Sequence, residues 1–277
     1  MHANSVEGLG ARRVIEKFRE AGGWFAALVS LPPWHYGLMP RSIEEYKRAI
    51  EHHLRECRDA RSVNGIRIAC FAGFHPAEVD KLVSIGMKPE EALDLGLRVI
   101  ELLVELCKKG VIDGIGEVGR QHYKTMPERV AIASTIMIRA FEASRDYGCP
   151  IHLHLENAGA ATVNTVDYLV KLVGAEPSNI LFHHASVRVA GLATSRGYAA
   201  TVPGKKEQLR AALGNIGPVF IPESDYIDDP RRPCVSSCPW EIVERQLELL
   251  KEGAVTEEQL MRINVDNVVR FYRVEPP

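Results

Sequence analysis

Short apolar runs alternate with longer amphipathic segments along most of the chain, a pattern that predicts parallel strands joined by crossover helices. Seven runs have the length and composition of strands. They are predicted at Trp24–Ser30, Ile66–Phe71, Val111–Glu117, Pro150–His154, Asn179–His184, Tyr198–Val202 and Pro218–Pro222. An eighth strand would have to lie at the extreme N-terminus, where few residues precede the first helix, so we expect that first strand to be truncated.

The segments between these runs carry helix start and stop signals. Ser42 with Glu45, and Thr256 with Gln259, have the spacing of capping boxes. Helices are predicted over residues 10–21, 42–61, 76–109 with a break at Gly86, 127–147, 239–251 and 256–272. Eight strand–helix units of about 35 residues would suit a barrel of this length. We therefore predict an α/β fold, a (β/α)8 TIM barrel forming one domain over residues 1–277, with a doubly wound open sheet as the alternative.

Composition adds few restrictions. The chain has 34 Lys and Arg against 36 Asp and Glu, which gives no basic surface for coating nucleic acid, although a local positive cleft stays open. A hydrophobic content of 46% with 25% charged residues excludes a disordered chain. No apolar run is long enough to cross a bilayer and no basic-then-apolar leader is visible. We therefore expect a cytoplasmic protein without a membrane partner.

The six cysteines do not predict a disulfide framework in a chain of this length. Four of them stand singly in apolar or helical stretches, where buried thiols are expected: Cys57, Cys70, Cys107 and Cys149. Cys234 and Cys238 lie in a proline-rich loop, without the second ligand pair that a zinc knuckle needs. We expect this pair to be reduced as well, with a local disulfide as the alternative for a hyperthermophilic source.

Acids and histidines fall at the trailing ends of the predicted strands. Glu117, His154 and His184 end three of them, and Asp225 follows the last one. In a barrel these ends meet in a single ring, where active sites are built. Two imidazoles and two carboxylates form a ligand set for zinc, manganese or iron-type divalent ions. The sequence therefore predicts a metal site at the C-terminal ends of the strands.

Two histidine pairs leave the choice of ligand open. His152 and His154 share one face of a strand, and His152 also suits a hydrogen-bonded core position. His183 and His184 point in opposite directions, so at most one of them should bind a metal. We choose His184 because it lies nearer the strand end, with His183 as the alternative. Asp225 taken alone would suit a solvated acidic loop.

Four motifs match those of a known family, in order and on the expected strands. They are Ala72-Gly-Phe-His-Pro76, Ile115-Gly-Glu-Val-Gly119, Pro150-Ile-His-Leu-His154 and Glu223-Ser-Asp225. The closing helix at Asn264-Val-Asp-Asn267 also matches. In these residues the chain resembles the TatD-type metal-dependent hydrolases, the TatD-related deoxyribonucleases of the amidohydrolase superfamily, and within them an archaeal branch. The resemblance covers nearly the whole chain.

The resemblance implies a centre with one or two divalent ions, which would be zinc, magnesium or manganese. The implied ligands are Glu117, His154, His184 or its neighbour His183, and Asp225. Glu117 and Asp225 are implied as catalytic residues, with Asp225 accepting a proton from the attacking water as general base. A contact between His75 and a substrate phosphate is also implied, although a helix N-terminal position before Pro76 would explain His75 equally well.

The family opens its first strand with Asp-x-His-x-His, whose two histidines bind one metal. Here His2 can match only the second histidine, and the other two residues would lie upstream of Met1. Two further departures concern the substrate. Arg120-Gln121 replaces the usual Leu-Asp, and Glu156 stands where the family has an arginine that faces phosphate.

The implied activity is hydrolysis of a phosphodiester, with DNA as the model substrate, by a metal-activated water. Hydrolysis of a small amide, lactone or phosphoester is the alternative that Glu156 and the near-neutral charge favour. A non-catalytic barrel with a degraded metal site is the third possibility. The expected partner is thus nucleic acid or a small substrate, and the oligomeric state stays open. The segment Trp34-His35-Tyr36 should lie over the site, where gating and packing are equally supported.

Overall fold

Seven parallel strands form one curled sheet in the computed structural model, which describes residues 1–277. The strands are adjacent in chain order, so each neighbouring pair is one crossover unit. Their bounds are β1 Phe25–Val29, β2 Arg67–Ala72, β3 Gly114–Gly119, β4 Ile151–His154, β5 Ile180–His183, β6 Ala199–Pro203 and β7 Ile221–Glu223. The sequence prediction is confirmed for all seven strands, with shifts at their ends.

Helices alternate with these strands and pack on the outer face of the sheet. They are α1 Ala11–Glu20, α2 Ile43–Arg61, α3 Pro76–Ser84, α4 Pro89–Lys108, α5 Pro127–Tyr147, α6 Ala160–Val173, α7 Val187–Thr194, α8 Lys206–Ile216, α9 Pro239–Lys251, α10 Glu257–Met261 and α11 Asn267–Tyr272. The predicted break near Gly86 is confirmed, because α3 ends before it and α4 restarts at Pro89. The last predicted helix is interrupted by a π-helical turn at Arg262–Asp266. No helix combines the length and apolar character that crossing a bilayer requires.

The two open ends of the sheet meet at Met1 and His2. The backbone N–H of Val29 on β1 donates to the Met1 carbonyl at 3.0 Å. On the other side the His2 N–H donates to the Tyr226 carbonyl at 2.7 Å, just beyond β7. The segment therefore occupies the place between β7 and β1, and the architecture is the predicted α/β TIM-barrel type.

Aromatic side chains fill the interior of the curled sheet below the strand ends. The Phe71 ring stacks on the His152 ring at 4.0 Å, and the Tyr272 hydroxyl lies 3.1 Å from His152 Nε2. Tyr272 comes from the last helix and also packs on Phe25 at 4.4 Å. His152 is thus a buried, hydrogen-bonded core residue, the role that its position on the strand allowed.

The expectation of reduced, single cysteines is wrong. The structure joins the cysteines in three disulfides, which are Cys57–Cys70, Cys107–Cys149 and Cys234–Cys238. Cys57 on α2 faces Cys70 on β2 because that helix packs directly on that strand. Cys107 and Cys149 lie near the ends of two helices that also pack together, α4 and α5. Sequence spacing does not show such contacts, because they arise only from packing.

Candidate metal centre

Glu117 lies at the centre of the C-terminal strand ends. The strand register sets Gly119 beside His154, and His154 beside His183, so side chains from β3, β4 and β5 converge. Glu117 is only 5% exposed. Ring nitrogens of four histidines lie 2.8–3.8 Å from its carboxylate oxygens, and these are His2, His75, His154 and His183. Residues more than a hundred positions apart in the chain therefore share one carboxylate.

The first half of the site, which we name the carboxylate side, consists of His2, His183 and Asp225 around Glu117 Oε1. His2 Nε2 lies 3.8 Å from Glu117 Oε1 and 3.6 Å from Asp225 Oδ1. His183 Nε2 lies 2.8 Å and 3.4 Å from the same two oxygens. Ligand atoms of a tetrahedral zinc ion at about 2.1 Å would be about 3.4 Å apart. These four atoms therefore have the spacing of a ligand set.

The second half, which we name the histidine side, consists of His75 and His154 beside Glu117 Oε2, with His122 behind His154. His75 Nε2 and His154 Nδ1 each lie 3.5 Å from that oxygen. His122 Nδ1 lies 2.5 Å from His154 Nε2, on the side away from Glu117. Glu117 therefore belongs to both halves of the site: its Oε1 faces the carboxylate side and its Oε2 faces the histidine side.

Hydrogen bonds to the second ring nitrogen separate these histidines into two kinds. His2 Nδ1 lies 3.0 Å from the Val29 carbonyl oxygen and His183 Nδ1 lies 2.6 Å from Glu223 Oε2, so both nitrogens donate. A neutral imidazole that donates from Nδ1 has a free lone pair on Nε2, which is the form that binds metals. His75 is the reverse case, because its Nδ1 accepts from the Ala77 N–H at 3.1 Å. Its Nε2 therefore carries the proton and donates toward Glu117.

Three buried polar atoms at this centre make no hydrogen bond: Glu117 Oε1, His154 Nδ1 and His183 Nε2. Buried polar atoms without a partner are costly and rare, and a cluster of them calls for an explanation. All three atoms are of kinds that bind metal ions, and they lie on adjoining side chains. The residues present therefore fit one or two divalent cations, which would satisfy these atoms.

Burial and charge act against each other in the titration of these groups. Burial raises the pKa of Glu117, but the charge of His183 and the close approach of the His154 ring outweigh it and hold that pKa well below the usual range. Burial lowers the pKa of His183, but Glu223 and Glu117 hold it well above its usual value, so Nε2 carries a proton at pH 7 that a bound cation would have to replace. Burial and the nearby His154 lower the pKa of His75 to about 3, so His75 is neutral at pH 7.

His183 and His184 lie in different places. His183 Nε2 faces the carboxylate side, whereas His184 has a left-handed backbone with φ of 53° and a side chain that is 41% exposed. His184 Nδ1 lies 2.9 Å from Glu223 Oε1 and 3.7 Å from Asp225 Oδ2, at the rim of the site. Glu223 thus holds both rings, and Thr201 donates a hydrogen bond to its other oxygen. From the sequence, Glu223 was not predicted to orient the histidines of the site.

The glycines beside Glu117 are explained by close strand packing. A Cβ at Gly116 would come within 2.5 Å of the His152 Cβ. A Cβ at Gly119, whose φ is +146°, would collide with the His154 carbonyl oxygen. The neighbouring strand β4 therefore approaches β3 closely at these glycines, and this approach brings Glu117 and His154 together.

Two side chains on the β3–α5 loop, residues 120–126, complete the surroundings. Arg120 pairs with Glu156 through two hydrogen bonds of 2.6 and 3.1 Å, so the acid that departs from the family pattern is neutralised. His122 was not predicted as a site residue, and no strand periodicity marks it.

On the opposite rim Tyr36 is buried and its hydroxyl accepts from the Leu31 N–H, which supports packing rather than gating for this residue.

Comparison with known proteins identifies relatives of the whole chain. The profile of the family described as TatD related DNase matches residues 1–273. An uncharacterized protein of Methanocaldococcus jannaschii is 27% identical over 99% of this chain and 94% of its own length.

Among solved structures, a triple mutant of organophosphorus hydrolase from Deinococcus radiodurans superposes with a TM-score of 0.63 at 14% identity, covering 98% of this chain and 91% of its own. The phosphotriesterase homology protein from Escherichia coli, complexed with phosphate in its active site, gives a TM-score of 0.61 at 13% identity, with coverages of 94% and 88%. At these identities the structures show a shared fold. The family match covers nearly the whole chain, and the protein therefore belongs to the TatD related DNase family.

Proposed function

We propose that residues 1–277 form a single divalent-metal-dependent hydrolase domain that cleaves phosphoesters, with phosphodiesters as the principal class. The observation that carries this proposal is the set of four ligand atoms on the carboxylate side, with separations of 2.8–3.8 Å around Glu117 Oε1 and Asp225 Oδ1. The unpartnered atoms of Glu117 and His183 support it, because a cation would satisfy both.

The ligands proposed for a first ion are His2, Glu117, His183 and Asp225. His183 takes the place of the sequence-predicted His184, because only His183 directs a ring nitrogen at both Glu117 and Asp225. His154 Nδ1 and Glu117 Oε2 are proposed to hold a second ion, so that Glu117 joins the two halves. A bound divalent ion lowers the pKa of a coordinated water toward neutrality and polarises the oxygen of the scissile bond.

The protein's own groups orient and move protons around this centre. Glu223 accepts from His183 Nδ1 and so fixes the ring with Nε2 facing inward. Asp225 has one oxygen toward His2 and His183, while its Oδ2 accepts from the Ser236 hydroxyl at 3.4 Å. We assign to Asp225 Oδ2 the role of general base that takes the proton of the attacking water. His75 Nε2 is assigned to donate a hydrogen bond to a phosphate oxygen.

The charges of Glu156 and His75 do not oppose an anionic substrate. Glu156 would repel a phosphate if it were free, but the two hydrogen bonds from Arg120 compensate its charge. The neutral His75 donates without adding charge. The departure at Glu156 therefore does not argue against phosphoesters.

The test uses purified protein loaded with Mn²⁺ or Zn²⁺, with metal counted per chain by mass spectrometry. Hydrolysis of bis(p-nitrophenyl) phosphate, a single-stranded oligodeoxynucleotide and a lactone is compared between wild type and Asp225→Asn. General-base loss predicts a fall in kcat of about 10²–10⁴-fold on the phosphoesters. Asp229→Asn is the matched control, because Asp229 lies nearby but pairs with Arg231 outside the site.

Equal activity of wild type and Asp225→Asn on every substrate would overturn the catalytic assignment. Hydrolysis of the lactone alone would move the substrate class to small esters. Absence of bound metal together with absence of turnover would favour the non-catalytic barrel.

A further inference from the structure

His122, on the β3–α5 loop, lies at the mouth of the barrel with its ring against His154. Its Nδ1 is 2.5 Å from His154 Nε2, and the residue is exposed on its outer side. The contact is on the far side of His154 from Glu117, since His154 faces Glu117 with Nδ1 at 3.5 Å. His122 is therefore one ring removed from the ligand atoms.

The protonation pattern of this pair follows from the free nitrogen of His154. His154 Nδ1 is buried, makes no hydrogen bond and faces Glu117, as a lone pair for a cation would. The proton of a neutral His154 then lies on Nε2 and is donated to His122 Nδ1. A neutral His122 that accepts at Nδ1 carries its own proton on Nε2, and this N–H is free for a ligand at the mouth.

Asp80 on α3 ties down the loop that carries His122. Its carboxylate accepts hydrogen bonds from four side chains: Gln121 at 2.9 Å, Tyr123 at 3.1 Å, Arg129 at 3.1 Å, and Thr125. These four donors flank His122 on both sides along the chain. The backbone of residues 121–125 is thereby held to α3, and the position of His122 is fixed.

The same helix places the second N–H donor of the site. His75 is the N-cap residue of α3, and Asp80 lies five residues further along the chain. The rings of His75 and His122 both pack against His154, at 4.4 and 4.7 Å between centroids. One short helix therefore helps to place two N–H donors whose rings pack against the same imidazole.

We propose that His122 is a substrate-binding residue whose Nε2–H donates to a phosphoryl oxygen opposite His75, and that Asp80 is the positioning residue that holds it there. This inference rests on the proposed phosphoesterase function and deepens it. It assigns the histidine side of the site to recognition of a tetrahedral oxyanion.

The probe is inorganic phosphate, titrated by calorimetry into Mn²⁺-loaded wild type, His122→Phe and His122→Gln. Phenylalanine keeps the ring volume and removes both nitrogens, and we expect phosphate to bind about tenfold more weakly, as for loss of a hydrogen bond to a charged group. Glutamine offers an N–H at a similar reach and should restore part of the affinity. Lys124→Gln, on the same exposed loop, is the control for general charge and should change affinity less than about twofold.

Asp80 is tested through a double-mutant cycle. Asp80→Asn alone should weaken phosphate binding, whereas adding it to His122→Phe should cost nothing further, because Asp80 acts through His122. A merely structural role for Asp80 would give additive losses. Thermal unfolding of each variant, and manganese per chain, are measured alongside.

Four results would overturn the inference: wild type that binds manganese but not phosphate, unchanged phosphate affinity in His122→Phe, loss of manganese in that variant, or an equal loss in Lys124→Gln. Failure of the proposed function is a different result. If wild type binds phosphate in a His122-dependent way but hydrolyses no ester, the proposed enzymatic function is wrong and the assignment of His122 to phosphate binding is retained.

Discussion

The carboxylate side and the histidine side of Glu117 use the same residue type for opposite purposes. On the carboxylate side, His2 and His183 donate from Nδ1 to an oxygen and direct Nε2 at the carboxylates of Glu117 and Asp225, where a cation would bind. On the histidine side, His75 accepts at Nδ1 from a backbone N–H and directs an N–H inward. The partner of the outer nitrogen therefore decides whether an imidazole acts as a ligand or as a donor.

Because of this difference, short distances between potential ligand atoms do not by themselves establish a metal site. His75, Glu117 and His154 lie close enough to hold an ion, as do His2, Glu117 and Asp225. The hydrogen bond at His75 Nδ1 removes the first of these sets as a three-ligand site, because His75 Nε2 is protonated at neutral pH. The carboxylate side has two carboxylates and two imidazoles that face them with Nε2, so we expect it to bind a cation more tightly.

The largest effect is expected from Glu117→Gln, which alters both sides together. The amide keeps the shape but offers one neutral oxygen in place of two charged ones, so metal per chain should fall below one. Activity should fall by at least about 10³-fold, because metal assistance and water activation are both lost. Glu56→Gln is the control, since Glu56 is equally buried and accepts from backbone N–H groups outside the site. Full metal content in Glu117→Gln would show that the two sides of the site do not depend on this carboxylate.

The next effect separates the adjacent histidines on β5. His183→Ala removes a lone-pair ligand from the carboxylate side and should weaken binding of the first ion by more than about 100-fold, beyond the 10–100-fold that the loss of an outer partner costs. His184→Ala removes a rim residue and should cost less than about tenfold. Zinc titration against a fluorescent chelator measures both. A greater loss in His184→Ala would reverse the assignment made from the geometry.

Sequence patterns were sufficient for the strands and for the acids at their ends, because parallel strands place their C-terminal residues in one ring. They could not decide between His183 and His184, since a four-residue strand gives little periodicity and the backbone turns left-handed at His184. The rule that the residue nearer the strand end reaches the site fails where the chain leaves the strand early.

Residues on loops were harder to predict for a different reason. The loop that carries His122 is held by hydrogen bonds from three of its side chains and from Arg129 on α5 to Asp80, and none of these contacts is local in sequence. The pairing of Arg120 with Glu156 joins two departures from the family pattern that looked unrelated in the sequence. The Arg120–Glu156 pair forms because β3 and β4 are neighbouring strands, which the sequence alone does not show.

A smaller effect tests the donor role of His75. His75→Asn keeps an acceptor for the Ala77 N–H and so preserves the helix cap, but it removes the inward N–H. We expect unchanged metal content and a KM for bis(p-nitrophenyl) phosphate raised about tenfold, the cost of one hydrogen bond to a charged oxygen. If metal per chain falls instead, His75 is a ligand, and the distinction between the two sides fails.

The smallest effect concerns Glu78, which caps the helix that places His75. Its Oε1 accepts from the His75 N–H at 2.7 Å, and burial raises the pKa of Glu78 to about 8. Between the ordinary carboxyl pKa and pH 8 the folded chain keeps a proton that the unfolded chain has lost. The free energy of unfolding should therefore fall as pH rises through this window, by at most about 1.4 kcal/mol per pH unit.

Glu78→Gln retains the capping bond and cannot ionise, so its unfolding free energy should lack this slope and exceed that of the wild type near pH 8. Glu91→Gln is the matched control, because the exposed Glu91 makes the same capping bond to the Lys88 N–H at 3.1 Å without burial. Urea unfolding at pH 5.5, 7 and 8.5 gives the three curves. Parallel curves for wild type and Glu78→Gln would mean that the buried carboxyl is ionised throughout, and that the helix beneath His75 contains a charge rather than a neutral acid.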